Sequence, residues 1–332
     1  RYLHFSGDPS KGLIIIPCEL IDRNGDNLKK IVYQLALEWN LEQEFINWLD
    51  SSNFFLNSLV DRIVTGYPKD DIENLTNELQ YKDNLINTCE VFNLWVIEGD
   101  SKLSNELPLA NTGCNVIWTN DMTPYRTRKV RILNGVHTMM CMTSYLYGLD
   151  TVGNSLKDPI ISKYIKKGLY DEIIPSVNFN EDELKSFASD VLERFANPFI
   201  EHQLMSITLN SVSKYKARVL PTMLEYVSKF NSAPKTLSCG LASLIHFYKG
   251  INEKGEIITV SDDKDILIKF RDLWDKFDAN LLDSQSLVSS ILSDISFWGE
   301  DLTKNRILTN GILFYFNSIQ DKGIGQTLKE LV

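Results

Sequence analysis

Residues 126–137 read Arg-Thr-Arg-Lys-Val-Arg-Ile-Leu-Asn-Gly-Val-His and gather the side chains best suited to chemistry. Lys129 offers an amine, Asn134 a carboxamide and His137 an imidazole. Together they suit the interconversion of a carbonyl and an alcohol. A lysine with a lowered pKa takes a proton from a hydroxyl or returns it to a forming alkoxide. An asparagine amide donates a hydrogen bond to an oxyanion. A histidine orients the reacting oxygen. Arg126, about one helical turn before Lys129, would depress the lysine's pKa in a partly dry site. The same residues also suit a solvated basic face with a packed core histidine, and spacing alone does not separate the two.

These groups need an element to align them. The run 125–149 contains no proline; Thr123 and Pro124 make a helix start and Gly148 a stop. At ~100° per residue, Lys129, Asn134 and His137 fall within an arc of about 140° on one side of that helix. Lys129 and His137 would lie roughly 12 Å apart along its axis. Upstream, a β-branched strand over 13–16, a turn over 22–26 and a helix over 26–40 make one unit of a doubly wound α/β sheet. A short helix follows over 42–49. Asn24-Gly25 then sits at the carboxyl end of the strand, the side where such sheets bind ligands; it also reads as a plain tight turn.

Further strands are expected within 53–68, 91–98 and 115–118, with a polar helix over 70–80 and a loop over 105–113. After the central run the pattern turns helical: 158–174, 181–195, 200–209, 214–230, 235–249, 262–277, 284–297, 300–317 and 326–331. Pro221 and Gly311 are breakers within this series. The expected fold is α/β plus all-α: an incomplete Rossmann-type parallel sheet over 1–120, then a multi-helical C-terminal domain over 121–332 that carries the catalytic helix.

Lys-Val-Arg-Ile-Leu-Asn-Gly-Val-His-Thr over 129–138 resembles the catalytic signature of the polyol-specific long-chain dehydrogenases, the family of mannitol 2-dehydrogenase, fructuronate reductase and tagaturonate reductase. The stretch 55–68, centred on Val60-Asp61-Arg62, is similar to the family's second signature. Ile-Pro-Cys-Glu-Leu-Ile-Asp-Arg-Asn-Gly-Asp over 16–26, with Trp-Val-Ile-Glu over 95–98, looks most like the tagaturonate reductase (altronate oxidoreductase) branch. The resemblance implies Lys129 as acid and base, Asn134 and Asn24 as oxyanion amides, and His137 on the substrate oxygen. Asn57 is an alternative to Asn24. Asp61 and Arg62 either orient the site or form a strand-end ion pair, and Glu98 faces a cleft or solvent.

The segment 213–221 matches the family's lysine-containing substrate segment and puts Lys214 at a substrate contact. Arg218, four residues on, shares its face if the segment is helical. Either would hold a sugar-acid carboxylate, or belong to a solvated basic face. Arg126 joins them as a substrate-binding candidate. The mannitol enzymes carry an arginine where this chain has Ser206, a departure from the polyol pattern. Residues 194–198 match a family segment and read as a helix-ending turn, and His202 and His246 read as packing. The resemblance implies NAD as cofactor, no metal, and a small sugar acid as the substrate.

The chain has 332 residues and a formal net charge of −10, which argues against non-specific nucleic-acid or anionic-membrane binding. Its five cysteines are spread out and lack zinc spacing, as expected of free thiols in a reducing cytoplasm. No signal peptide or membrane-length apolar run is seen. No Gly-x-Gly-x-x-Gly follows a strand; Gly323-Ile-Gly325 lacks the third glycine and reads as a turn. The family carries that loop in an N-terminal segment without counterpart here, so the sequence is expected to be part of a longer enzyme. A different class stays open: a catalytically inactive helical module that lacks the nucleotide loop.

Overall fold

A computed structural model describes residues 1–69 and 71–332. The chain divides into two units, Arg1–Thr127 and Arg128–Val332.

In the first unit, β1 (Ile14–Ile15) pairs in parallel with β2 (Phe54–Phe55). After Leu56 the chain continues as β3 (Asn57–Asp61). β4 (Val64–Gly66) lies within the expected 53–68 strand region and pairs antiparallel with β5 (Thr88–Cys89), a strand not expected from the sequence. β3 runs antiparallel to β6 (Leu94–Glu98), and β6 parallel to β7 (Val116–Thr119). Leu94, Val96 and Met122 form a buried cluster under this sheet, with Leu59, Phe92, Ile117 and Tyr125 against it. Alternation along β6 sends Leu94 and Val96 to one face.

The helix after β1 begins at Asn24 rather than Asp26 and ends at Glu38. Gly25 allows its first turn to lie on the strand backbone: a Cβ there would come within 2.4 Å of the Leu56 carbonyl carbon. The second helix is Gln43–Ser52. The expected 70–80 helix is seen over Ile72–Leu79; Asp70 lies outside the described residues. The 105–113 loop contains a 3-10 turn at Leu109–Thr112.

In the second unit the helix Gly135–Leu146 is buried nearly all round. It packs against Lys235–Phe247, which in turn packs on Arg306–Leu331. Apolar side chains on all faces suit such a central position. Glu181–Phe195 forms as expected, capped by Asn180, whose side chain accepts from the Asp182 and Glu183 amides.

Other expectations shift. The 158–174 helix is Pro159–Lys167 followed by a π turn, Gly168–Ile173. The 200–209 helix shrinks to Leu204–Ile207, because Gln203 is extended and bridges Thr151. Pro221 sits in the first turn of Leu220–Phe230 and so divides 214–230 into that helix and Ser211–Arg218. The 284–297 helix splits into Ser284–Leu292 and Ile295–Trp298. Gly323, at φ 78°, breaks the last helix where a turn was expected. Among the described residues no helix is long and apolar enough to cross a membrane.

Candidate active site

The helical run that carries the signature is not a regular α-helix. It starts as Thr123–Arg128, widens into a π turn at Lys129–Asn134, and resumes as Gly135–Leu146. This corrects the even 100° spacing expected from the sequence. In an α-helix residues five apart point about 140° away from each other. A π turn closes i→i+5, so residues five apart lie roughly one turn above one another. Lys129 and Asn134 are such a pair, and the widening brings amine and carboxamide toward one face. His137, three residues past Asn134 in α geometry, follows on that face.

Lys129 is only 8% exposed, so it is not part of a solvated basic face. Its basic neighbours are tied elsewhere. The Arg131 guanidinium donates to Thr222 Oγ1 at 2.8 Å and to Glu225 Oε1 at 2.7 Å. Arg128 lies over the Phe187 ring at 4.5 Å.

His137 is 6% exposed and stacks on Phe195, with ring centroids 3.9 Å apart and planes 10° apart. His202 meets it edge-on at 5.1 Å. Burial, then His202, Arg218, Arg194 and Lys129, push the His137 imidazole well below its ordinary pKa. It is therefore neutral, with one nitrogen a donor and the other an acceptor. Its Nε2 and the His202 Nδ1 are buried without a hydrogen-bond partner among the described residues. Burial, then the Lys214 charge, lowers the His202 pKa too.

The Ser211–Arg218 helix packs on Gly135–Leu146 and brings two more cations. Arg218 Nη1 donates to Thr138 Oγ1 at 3.3 Å, and Lys214 Nζ to the Ile207 carbonyl at 2.9 Å. Both are partly buried, and burial lowers the pKa of each; for Lys214 the Arg218 charge adds to it. Neither makes an ion pair among the described residues. Sequence reasoning read His202 as packing and segment 194–198 as a structural turn. The structure puts Phe195 and His202 against His137, and Arg194 is among the charges that bear on it. The segment match was the available signal for Phe195 and Arg194; His202 carried none.

The first unit places its own candidates. Asn24 is 3% exposed, and its Nδ2 lies 2.9, 3.2 and 3.1 Å from the carbonyls of Pro17, Glu19 and Ser58. Its Oδ1 accepts from the Gly25 and Ser58 amides, which fixes the orientation of the group. Both amide hydrogens are thus committed to backbone, and Asn24 knits the turn to β3. Asn57 accepts from the Asp26 amide at 3.1 Å. Glu98 lies 3.8 Å from Arg23. Arg126 is paired with Asp22 at 2.7 Å, which ties up the charge expected to act on Lys129 or a substrate.

A dinucleotide pyrophosphate needs free backbone amides at a helix start. In the helix after β1, the Gly25 and Asp26 amides are taken by Asn24 and Asn57, and that of Asn27 by the Arg23 carbonyl. This helix start is not a phosphate cradle.

Residues 2–111 match the mannitol dehydrogenase Rossmann domain, and residues 121–320 the mannitol dehydrogenase C-terminal domain. The chain belongs to the mannitol dehydrogenase family. Within it, the altronate oxidoreductases of Escherichia coli O6:K15:H31 (strain 536 / UPEC) and Shigella flexneri are each 43% identical over 331 residues, 100% of this chain and 68% of theirs. A Pseudomonas fluorescens mannitol 2-dehydrogenase, solved as a ternary complex with NAD and D-mannitol, superimposes with a TM-score of 0.76 at 21% identity. That match covers 96% of this chain and 62% of that one. A D-sorbitol dehydrogenase in substrate-free form gives 0.73 at 20% identity, over 95% and 62%. At that identity the two structures speak for the fold alone. The chain spans less than two thirds of the length of both.

Proposed function

We propose that this chain carries the substrate side of an NAD-dependent oxidoreductase that interconverts a keto sugar acid and its alcohol, with D-tagaturonate and D-altronate as the pair. The observation that carries the reading is the pair of partly buried cations, Lys214 and Arg218, which make no ion pair among the described residues and bear on two neutral histidines. Two like charges held together in a half-buried site are costly, and a carboxylate ligand relieves that cost. A neutral polyol brings no such charge. The altronate oxidoreductase relatives and the Ser206 departure support the same choice.

A nicotinamide cofactor, when bound, would supply or accept the hydride. Lys129 gives a proton to the carbonyl oxygen during reduction and takes it back during oxidation. Asn134, one π turn on, donates to the same oxygen as charge builds on it. His137, kept neutral by burial and by the surrounding cations, hydrogen-bonds the substrate oxygen through a ring nitrogen that has no partner among the described residues. Asn24, whose amide hydrogens are spent, supports the turn that follows β1. The five free cysteines accord with a reducing compartment such as the cytoplasm.

The test is NADH oxidation by the purified protein with tagaturonate, fructuronate and fructose in parallel. Turnover confined to tagaturonate is expected. Preference for fructose would sink the sugar-acid reading, and preference for fructuronate would move the enzyme to a neighbouring branch.

A further inference from the structure

Asp262 lies outside the Ser211–Arg218 helix and is held from several sides. Its Oδ2 accepts from the Val212 amide in the helix's first turn at 3.3 Å. The same oxygen accepts a short hydrogen bond from the Tyr248 hydroxyl. Its Oδ1 accepts from the Asp263 amide at 2.8 Å. A backbone bond from Asn210 to the Ser261 carbonyl, 3.0 Å long, ties the same two segments together. Tyr248 is buried and packs on Phe270 at 4.5 Å between centroids. Burial, reinforced by Asp262, holds its phenol far above the ordinary pKa, so it stays a donor.

Four groups bear on Lys214. Arg218 is a cation, and Cys141 is a thiol pushed up to about 12 by burial. His202 is an imidazole lowered by burial and then by the lysine itself. Asp262 is the carboxylate among them. A carboxylate at a helix start is favourable in itself, because it meets unpaired amides and the positive end of the dipole. Here it faces a helix whose two inward cations repel each other.

We infer that Asp262 is a positioning residue for the anion-binding helix: clamped by Tyr248, it pins the helix's first turn and sets a negative charge against Lys214, so that the ammonium stays aligned for an anion. The carboxylate touches no substrate in this role and acts through Lys214. Its meaning for catalysis rests on the sugar-acid reading above, but its first test uses no substrate.

That test is pH-dependent acylation of the full chain with trace acetic anhydride from about pH 7 to 11, read peptide by peptide by mass spectrometry. Only the neutral amine reacts. In Asp262→Asn the Lys214 labelling midpoint is expected to fall by about one pH unit. In Tyr248→Phe, which keeps the charge but loses the clamp, it should fall by less, and Asp262→Glu should stay near wild type. The exposed Lys185, paired with Glu181, serves as a control that does not move. An unchanged Lys214 midpoint in both the Asn and Phe variants overturns the inference. If Asp262→Asn fails to fold by circular dichroism, Tyr248→Phe alone decides. In steady-state assays Asp262→Asn should raise KM for tagaturonate roughly tenfold with kcat held within about twofold; a fall in kcat at constant KM counts against it. Should the wild type turn over no sugar acid, the functional reading fails while the labelling result stands.

Discussion

Lys129 is the residue on which the proposed chemistry turns, because it is the buried amine of the signature. Lys129→Ala should lower turnover by about 100- to 10,000-fold, the usual worth of a positioned acid–base group, without loss of fold. Near-normal kcat in a folded variant, measured by NADH oxidation, would remove it from the mechanism. Arg218→Met keeps the bulk of the side chain and deletes the charge. It should raise KM for an acidic substrate roughly 10- to 100-fold and leave kcat for a neutral ketose almost unchanged. Equal effects on both substrates would show that Arg218 serves packing through Thr138 rather than recognition.

At the scale of elements, the two π turns matter most. Gly168 opens the second one and sits against the central helix: a Cβ there would meet Met139 Sδ at 2.5 Å and Thr236 Cγ2 at 2.9 Å. Gly168→Ala should therefore destabilise the fold by about 1–3 kcal/mol, as overpacking does, although alanine is the better helix former. A urea midpoint unchanged from wild type would mean that Met139 simply turns aside. Neither π turn was legible in the sequence. The stretch 129–137 lacks glycine or proline inside its widened part, and its apolar spacing tolerates either winding. The contacts around it are tertiary: Arg131 reaches Thr222 and Glu225, and Gly135 lies against the Arg218 carbonyl. By contrast, Glu181–Phe195 was readable to the residue. Asn180 caps it, three acids fill its first turn, and Leu184, Phe187, Ala188, Val191 and Phe195 make its buried stripe. The site shows the same divide. Lys129, Asn134 and His137 share a local motif, whereas His202 enters only because the fold brings it to His137.

For the whole molecule, three buried or half-buried histidines set the acid limb of stability. His137, His202 and His246 are all lowered, each first by burial, and His246 falls to about 4. A histidine with a folded pKa below its unfolded value contributes its full stability above pH ~6.5 and loses it as pH falls toward the folded value. His246 alone then costs about 3 kcal/mol between pH 6.5 and 4. Glu172 works in the opposite sense. Its carboxyl is raised, chiefly by burial, while it caps Lys235–Phe247 by accepting from the Thr236 and Leu237 amides. Three groups against one leave a net decline, so urea midpoints should drop steadily from pH 6.5 to 4.5. His246→Gln should flatten that slope. A midpoint independent of pH across this window would contradict the burial of these rings.

The wide turn at Lys129–Asn134 also bears on how the site is inherited. Five residues in the wide turn and four in an ordinary α turn both carry the chain roughly once round its axis. Loss of a single codon between Lys129 and Asn134 would therefore let the segment rewind as α-helix, with the amine and the carboxamide four apart and still neighbours. Descendants that keep this chemistry are expected to tolerate a change of one in the count of this segment, with everything after it left in phase.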